Sequence, residues 1–387
     1  MTPQEAVAFE PAPIPFNRPS IVGKEYEYIR QAIDQGHISG DGSFTKACER
    51  CLESIHSAAR VLLTTSCTDA LEMSALLLNV EPGSEVVVPA FTFVSTANAF
   101  VLRGARPVFC DVRPDTFNLD ETALPELITA KTRVIVPVHY AGVGCEMTSI
   151  MNLAAKEGLD VVEDNAQGLL GHYHGRSLGT FGKLSTLSFH ETKNVSCGEG
   201  GALVINDGSL VERAEILREK GTNRSRFFRG QVDKYTWVDI GSSFLPSDLL
   251  AAFLYAQLEA RERIQSARCL RWKQYADGLR DWATRCGVRL PLVPTECDQP
   301  FHMFYLLLPT PEARDRLIAH LRSQRITSVF HYIPLNVSEM GMRHGGRAGQ
   351  CPVAEDISRR LVRLPFYTSL TTTDLCRVID AVLAFEL

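Results

Sequence analysis

Short apolar runs separated by segments of helical period set the frame of this chain. Runs at 61–65, 85–89, 107–112, 133–139, 160–163, 185–190 and 202–206 have the length and branched-apolar content of strands. Most of the gaps between them repeat at helical spacing; Met147, Ile150, Met151 and Ala154, for example, share one helix face. This alternation predicts a mostly parallel sheet covered on both faces, with ligands bound beyond the carboxyl ends of its strands. Surface helices are expected at 25–35 and 44–55, on either side of a glycine-rich stretch. After residue 247 the pattern changes. A long helical period to about residue 282, with a break, is followed by a strand at 303–308, a helix at 311–324, a strand at 327–332 and a closing helix at 373–385. The expected organisation is a loose tail over 1–14, a large domain over 15–250, and a connecting helix with a smaller α/β domain over 251–387.

Composition narrows the function classes. A chain of 387 residues has room for two packed domains. A net charge of −5 argues against a broadly nucleic-acid-binding surface. No apolar run approaches the roughly 20 residues of a membrane helix, and the N-terminus lacks the basic start and apolar core of a signal peptide, so the expected location is cytoplasmic. The 11 cysteines are an odd number. Cys48 and Cys51 form a CxxC, yet with Phe44, Leu52 and Ile55 they fall on one helical face, and no second pair of metal ligands follows. Neither a structural metal nor a disulfide is expected.

Candidate chemistry collects at strand ends. Lys193 lies between two strand-like runs, just before the glycines Gly198, Gly200 and Gly201. A lysine desolvated there would lose its proton more readily and become an amine nucleophile or Schiff-base former; the plain alternative is a lysine on a surface loop. Ser66 and Asp69 fit a capping box at the start of a largely apolar helix, whose free N–H groups, with the Thr68 hydroxyl, would also suit a phosphate. Phe91 and Phe93 end a strand, where one ring could stack on a planar ligand. Glu163 and Asp164 are adjacent carboxylates at another strand end; alternation allows only one of them to face a given ligand. Residues 221–237 interleave Arg224, Arg226, Arg229 and Lys234 with Phe227, Phe228, Tyr235 and Trp237, as a solvated loop, a nucleotide clamp or, less well, a single-strand nucleic-acid patch would. His331 and Tyr332 end a small-domain strand that would face the cleft.

Together, the segments TSCTDALEMSALLL, PAFTFVSTANAF, VVEDNAQ, SFHETKN with GEGG, and HYIPL resemble those of the fold-type-I pyridoxal phosphate enzymes. The likeness is to the sugar-nucleotide aminotransferases of the DegT/StrS group, and it runs from Pro15 to the C-terminus. It implies an aspartate-aminotransferase-like α/β fold and a pyridoxal 5′-phosphate cofactor that becomes pyridoxamine phosphate in the half-reaction. By the same resemblance, Lys193 is the Schiff-base lysine and Asp164 the partner of the pyridine nitrogen. Gln167 contacts the ring's hydroxyl side and Phe93 stacks on the ring. Thr68, the backbone at Asp69 and Ser188 hold the phosphate. His190 resembles the residue found in enzymes that aminate C4 of the sugar, where C3 enzymes carry tyrosine. The segment FFRGQVDKYTWVDIGSSF looks closest to the subgroup making TDP-4-amino-4,6-dideoxy-D-galactose for enterobacterial common antigen, which implies L-glutamate and a nucleotide-linked 4-keto-6-deoxy sugar as substrates. Arg229, Lys234, Tyr235, His331 and Tyr332 join His190 as expected substrate contacts. The group's sites are shared across a homodimer. Its usual cross-subunit asparagine is absent here, and Ser243 is the expected substitute. Two alternatives remain: amination at C3, and a non-catalytic regulator that binds the cofactor. A dehydratase of the same fold is disfavoured by Lys193 itself, and an NAD-dependent oxidoreductase by the absence of a GxGxxG turn.

Overall fold

A computed structural model describes residues 12–387. The large domain is built on a seven-stranded sheet in the order β1-β9-β8-β5-β4-β2-β3. In chain order its strands are β1 (Arg60–Thr64), β2 (Glu85–Pro89), β3 (Arg106–Cys110), β4 (Thr132–Ile135), β5 (Asp160–Asp164), β8 (Leu184–Ser188) and β9 (Gly201–Ile205). The two-residue strands β6 (His172–Tyr173) and β7 (Arg176–Ser177) form a separate hairpin between β5 and β8. From β3 across to β8 the pairing is parallel, while β9 runs antiparallel to both of its neighbours.

Because strand side chains alternate, the apolar runs bury both faces. Leu62, Val86, Val88, Val162 and Leu203 pack on one side, with α3 (Cys67–Leu77), α4 (Ser95–Val101) and, further along the chain, α7 (Val211–Arg218). Val61, Leu63, Leu187 and Val204 face the other side, against α1 (Glu25–Asp34), α2 (Ser43–His56) and α9 (Asp248–Glu259). Val87, Ile135 and Val161 complete that second face beside α5 (Leu124–Leu127) and α6 (Met147–Glu157). The predicted strand at 133–139 stops at Ile135, two residues before Pro137, whose ring nitrogen has no hydrogen to give a ladder.

The CxxC lies in α2, where the Cys48 thiol is buried and donates to the Ala251 carbonyl oxygen at 3.2 Å. All the cysteines are free thiols. No helix among the described residues is long and apolar enough to cross a membrane.

The expected break in the long helix falls at Ala260, between α9 and α10 (Arg261–Arg285). Ala251, Leu254 and Leu258 of α9 share a core with Val61 and Val204 of the large sheet. A short strand β10 (Cys297–Asp298) pairs back to β6. The smaller domain then holds β11 (Tyr305–Leu307), α11 (Pro311–Ser323), α12 (Glu339–Arg343), α13 (Pro352–Arg360), β12 (Leu361–Arg363) and α14 (Thr372–Leu383), with Tyr275, Phe304, Leu317 and Val378 in its core.

Two expectations change here. The predicted strand at 327–332 is a loop joined to the sheet by a Val329–Arg363 bridge and by the Arg363 guanidinium, which donates to the Phe330 carbonyl oxygen at 3.2 Å, and the strand that pairs with β11 is β12. The expected tail falls outside the described residues at 1–11, whereas Ile14 is 1% exposed and bridges Ile326 in the small-domain core.

Candidate active site

Where the two domains meet, a cavity of about 690 Å³ opens at the carboxyl ends of β5 and β8. Lys193 enters it from the connection between β8 and β9. That connection extends the hairpin: Phe189 donates to the Gly200 carbonyl oxygen at 2.8 Å, Cys197 to Phe189 at 2.9 Å, and Lys193 itself to His190 at 2.9 Å. Gly198 makes the turn at a φ of +90°, which favours glycine. Gly201 serves differently, since a Cβ there would meet the Cys67 nitrogen at 2.3 Å. Its lack of a side chain lets β9 pass under the start of α3. Burial pushes the Lys193 ammonium below its ordinary pKa, opposed by Cys67 and Asp164 and aided by Arg363.

The strand alternation of β5 divides the paired carboxylates. Asp164 lines the cavity. Its Oδ2 accepts from the Thr96 hydroxyl at 2.7 Å, its Oδ1 accepts from the Ala166 N–H at 3.2 Å, and it is 5% exposed. Glu163 turns the other way and is wholly committed to structure. It accepts from the backbone N–H groups of Gly179, Phe181 and Gly182 at 2.8, 2.6 and 2.8 Å, and lies 3.0 Å from His139 Nε2.

The start of α3 forms one wall. Ser66 caps it, accepting from the Asp69 N–H at 3.0 Å, so that N–H, one of the expected phosphate donors, is already engaged. The Asp69 carboxylate accepts from the Thr65 hydroxyl. Thr68 Oγ1 lies 2.7 Å from Ser95 Oγ, and both residues line the cavity with Ser188. The Cys67 and Thr68 N–H groups have no hydrogen-bond partner among the described residues and sit at the positive end of α3.

Gln167 bridges the domains: its Oε1 accepts from the Ala141 N–H at 2.7 Å and its Nε2 donates to the Tyr332 hydroxyl at 3.0 Å. The Tyr332 ring stacks on His331 with centroids 3.6 Å apart, and His331 Nδ1 lies 2.7 Å from the Tyr140 hydroxyl. Burial drives the His331 imidazole well below its ordinary pKa. Phe93 is 56% exposed and presents its ring to the cavity 6.3 Å from that of Tyr332. His190, also in the wall, has Nδ1 2.9 Å from the Thr192 hydroxyl.

Five expected residues are outside the cavity lining: Asp69, at the start of α3, and four that lie elsewhere. Arg229 pairs with Glu215 at 2.8 Å, Lys234 is exposed, and Tyr235 packs on Phe227 at the surface beyond the short helix α8 (Arg224–Phe228). Ser243 is exposed in a bridge to Glu219. None of them lines the cavity of its own chain. Conversely, Thr96, His302 and Arg363 line it without having been expected. Their sequence signal is slight: Thr96 sits inside a motif quoted for its aromatics, and the other two arrive from the small domain.

These residues suit the cofactor that the sequence suggests. A desolvated amine, a carboxylate held by Thr96, an accessible aromatic ring and a helix start with free N–H groups offer complementary partners for an aldehyde, a pyridinium, a ring face and a phosphate.

Comparison with known proteins agrees. Residues 19–383 match the DegT/DnrJ/EryC1/StrS aminotransferase family. The chain belongs to this family. It is therefore a pyridoxal phosphate-dependent sugar aminotransferase of the fold-type-I class. Among its relatives, the GDP-perosamine synthase of Escherichia coli O157:H7 is 30% identical over 376 residues, 96% of this chain and 98% of that protein. The spore coat polysaccharide biosynthesis protein SpsC of Bacillus subtilis (strain 168) is 28% identical, with 95% of this chain and 96% of that protein covered. Among solved structures, the aminotransferase TlmJ from Streptoalloteichus hindustanus has a TM-score of 0.87 at 29% identity, covering 96% of this chain and 98% of that one. DesV of S. venezuelae, solved with a ketimine intermediate, has a TM-score of 0.88 at 28% identity, covering 97% of this chain and 100% of that one.

Proposed function

We propose that this aminotransferase moves the amino group of L-glutamate to C4 of a nucleotide-linked 4-keto-6-deoxy sugar. The favoured pair is TDP-4-keto-6-deoxy-D-glucose and TDP-4-amino-4,6-dideoxy-D-galactose, formed in the cytoplasm for a cell-surface polysaccharide such as enterobacterial common antigen or lipopolysaccharide. The carrying observation is the desolvated Lys193 amine in one cavity with Asp164, with His190 in the same wall. When bound, pyridoxal phosphate supplies the carbonyl that carries the amino group and a ring that takes up the electron pair left on carbon.

The chain's residues do the rest. Lys193, as the neutral amine that burial favours, removes the glutamate Cα proton and later returns a proton to C4 of the sugar. Asp164 keeps a proton on the ring nitrogen, its carboxylate oriented by Thr96. Phe93 and Gln167 would position the ring, while Thr68, Ser188 and the free N–H groups at the start of α3 would hold the phosphate; the Asp69 N–H expected to join them is taken by Ser66. His190, His331 and Tyr332 contact the sugar. Arg229, Lys234, Tyr235 and Ser243, which lie outside their own chain's cavity, would act across a homodimer.

Incubation with L-glutamate and TDP-, UDP- and GDP-linked 4-keto-6-deoxy sugars, followed by NMR assignment of the product, tests the reading. Nitrogen on C4 of the TDP sugar is expected. Amination at C3 would overturn the role given to His190, and a cofactor that glutamate fails to convert would favour a regulator.

A further inference from the structure

His302, on the segment that crosses from α10 into the small domain, is held by its neighbours in a single chemical state. Asn194 follows the active-site lysine directly, and its Nδ2 donates to the Pro300 carbonyl oxygen at 2.7 Å. A carbonyl oxygen only accepts, so this bond fixes the amide's orientation and leaves Oδ1 as the group 3.1 Å from His302 Nδ1. Nδ1 must then carry the hydrogen. Burial, with the positive charges of Arg268 and Arg363, keeps the imidazole neutral by driving its pKa well below the ordinary value. The second nitrogen, Nε2, is therefore an unprotonated acceptor.

The backbone holds this arrangement in place. Arg268 donates to the carbonyl oxygens of Phe301 at 2.9 Å and His302 at 2.5 Å, and Phe301 adopts a left-handed φ of +53°. Nε2 has no hydrogen-bond partner among the described residues, and it is not among the polar atoms sealed from solvent without one. It therefore opens on the cavity that His302 lines.

An acceptor selects its ligand by chemistry. Carboxylate and phosphate oxygens bring no hydrogen to it, and a further cation would approach Arg268 and Arg363 at an electrostatic cost. A neutral hydroxyl suits it best. We propose that His302 is a specificity-determining residue whose Nε2 accepts a hydrogen bond from a hydroxyl of the sugar substrate. This rests on the sugar-aminotransferase reading above.

The test is half-reaction kinetics with the cofactor-loaded enzyme. His302→Asn can still donate to Asn194 but lacks an acceptor at the Nε2 position, whereas His302→Gln places an amide oxygen near it. His302→Asn is expected to raise KM for the keto sugar roughly tenfold, the worth of one neutral hydrogen bond, with a much smaller change in the glutamate half-reaction. His302→Gln should recover most of that loss. Wild-type enzyme should lose a similar factor on one of a set of singly deoxygenated keto sugars, a comparison that holds even if the variants fold poorly. An unchanged sugar KM in His302→Asn, equal losses in both half-reactions, or indifference of the wild type to every deoxygenation would overturn the proposal. A wild type that converts its cofactor with glutamate but aminates no keto sugar would instead sink the substrate reading, and this assignment with it.

Discussion

Asp164 shows how much a single side chain carries. It is nearly buried, Thr96 and Ala166 occupy one position on each of its oxygens, and its remaining acceptor capacity faces the cavity. Replacing it with alanine would leave the protonated ring nitrogen without its partner, at about 3–5 kcal/mol by the measure of broken buried pairs. We expect Asp164→Ala to weaken cofactor binding by at least a hundredfold, measured by fluorescence titration of the apoenzyme, and to lose turnover with it; wild-type affinity would refute the role. Strand alternation told in advance that Glu163 and Asp164 cannot share a ligand, and the resemblance pointed to the latter. His302 and Arg363 were hidden for a physical reason. Each reaches the cavity through the packing of a second domain, and no local sequence period encodes where that domain docks.

At the scale of elements, β5 works with both faces at its end. The face opposite the cavity uses Glu163 to gather three backbone N–H groups of the loop before β8. Glu163→Ala would leave those donors buried without an acceptor, and we expect a loss of about 3 kcal/mol in denaturant unfolding. An unchanged unfolding midpoint would contradict that account.

His56, at the end of α2, lies against the same loop. Burial lowers its pKa from 6.5 to about 4, outweighing the pull of Glu163 and the Leu178 carbonyl. With the folded value below the unfolded one, the unfolded chain binds the extra proton. Its contribution to stability is complete above pH 6.5 and is lost as pH falls towards 4, by up to about 3 kcal/mol. Equilibrium unfolding across that range should show this slope, and His56→Leu should flatten it; an equal slope in both proteins would exclude His56 as the source.

The parallel strands were legible because they are apolar on both faces. The 327–332 segment was not. It is as apolar as a strand, yet its His331 and Tyr332 are engaged by Tyr140 and Gln167 in the cavity wall, which leaves Val329 as its one backbone bridge to the sheet among the described residues. Its intended place is taken by β12, whose arginine-flanked run gave little strand signal.

For the whole molecule, the cavity draws its lining from the seven-stranded sheet, the start of α3 and the segments around β11 and β12. Beyond it, Phe228, Tyr235 and Trp237 are 64%, 52% and 77% exposed on the surface that also carries Arg229 and Lys234. A homodimer that brings this surface and Ser243 to a second cavity should sediment at twice the chain mass of 42.9 kDa, and a monomer with full activity would refute it.

Lys193 carries the proposed chemistry, and one measurement reaches it most directly. The cofactor-loaded enzyme is reduced with borohydride, digested, and its peptides are mapped by mass spectrometry. The pyridoxyl mass should lie on Lys193 and be absent from Lys193→Ala. A label on any other lysine, or no covalent label on the wild type, would contradict the account.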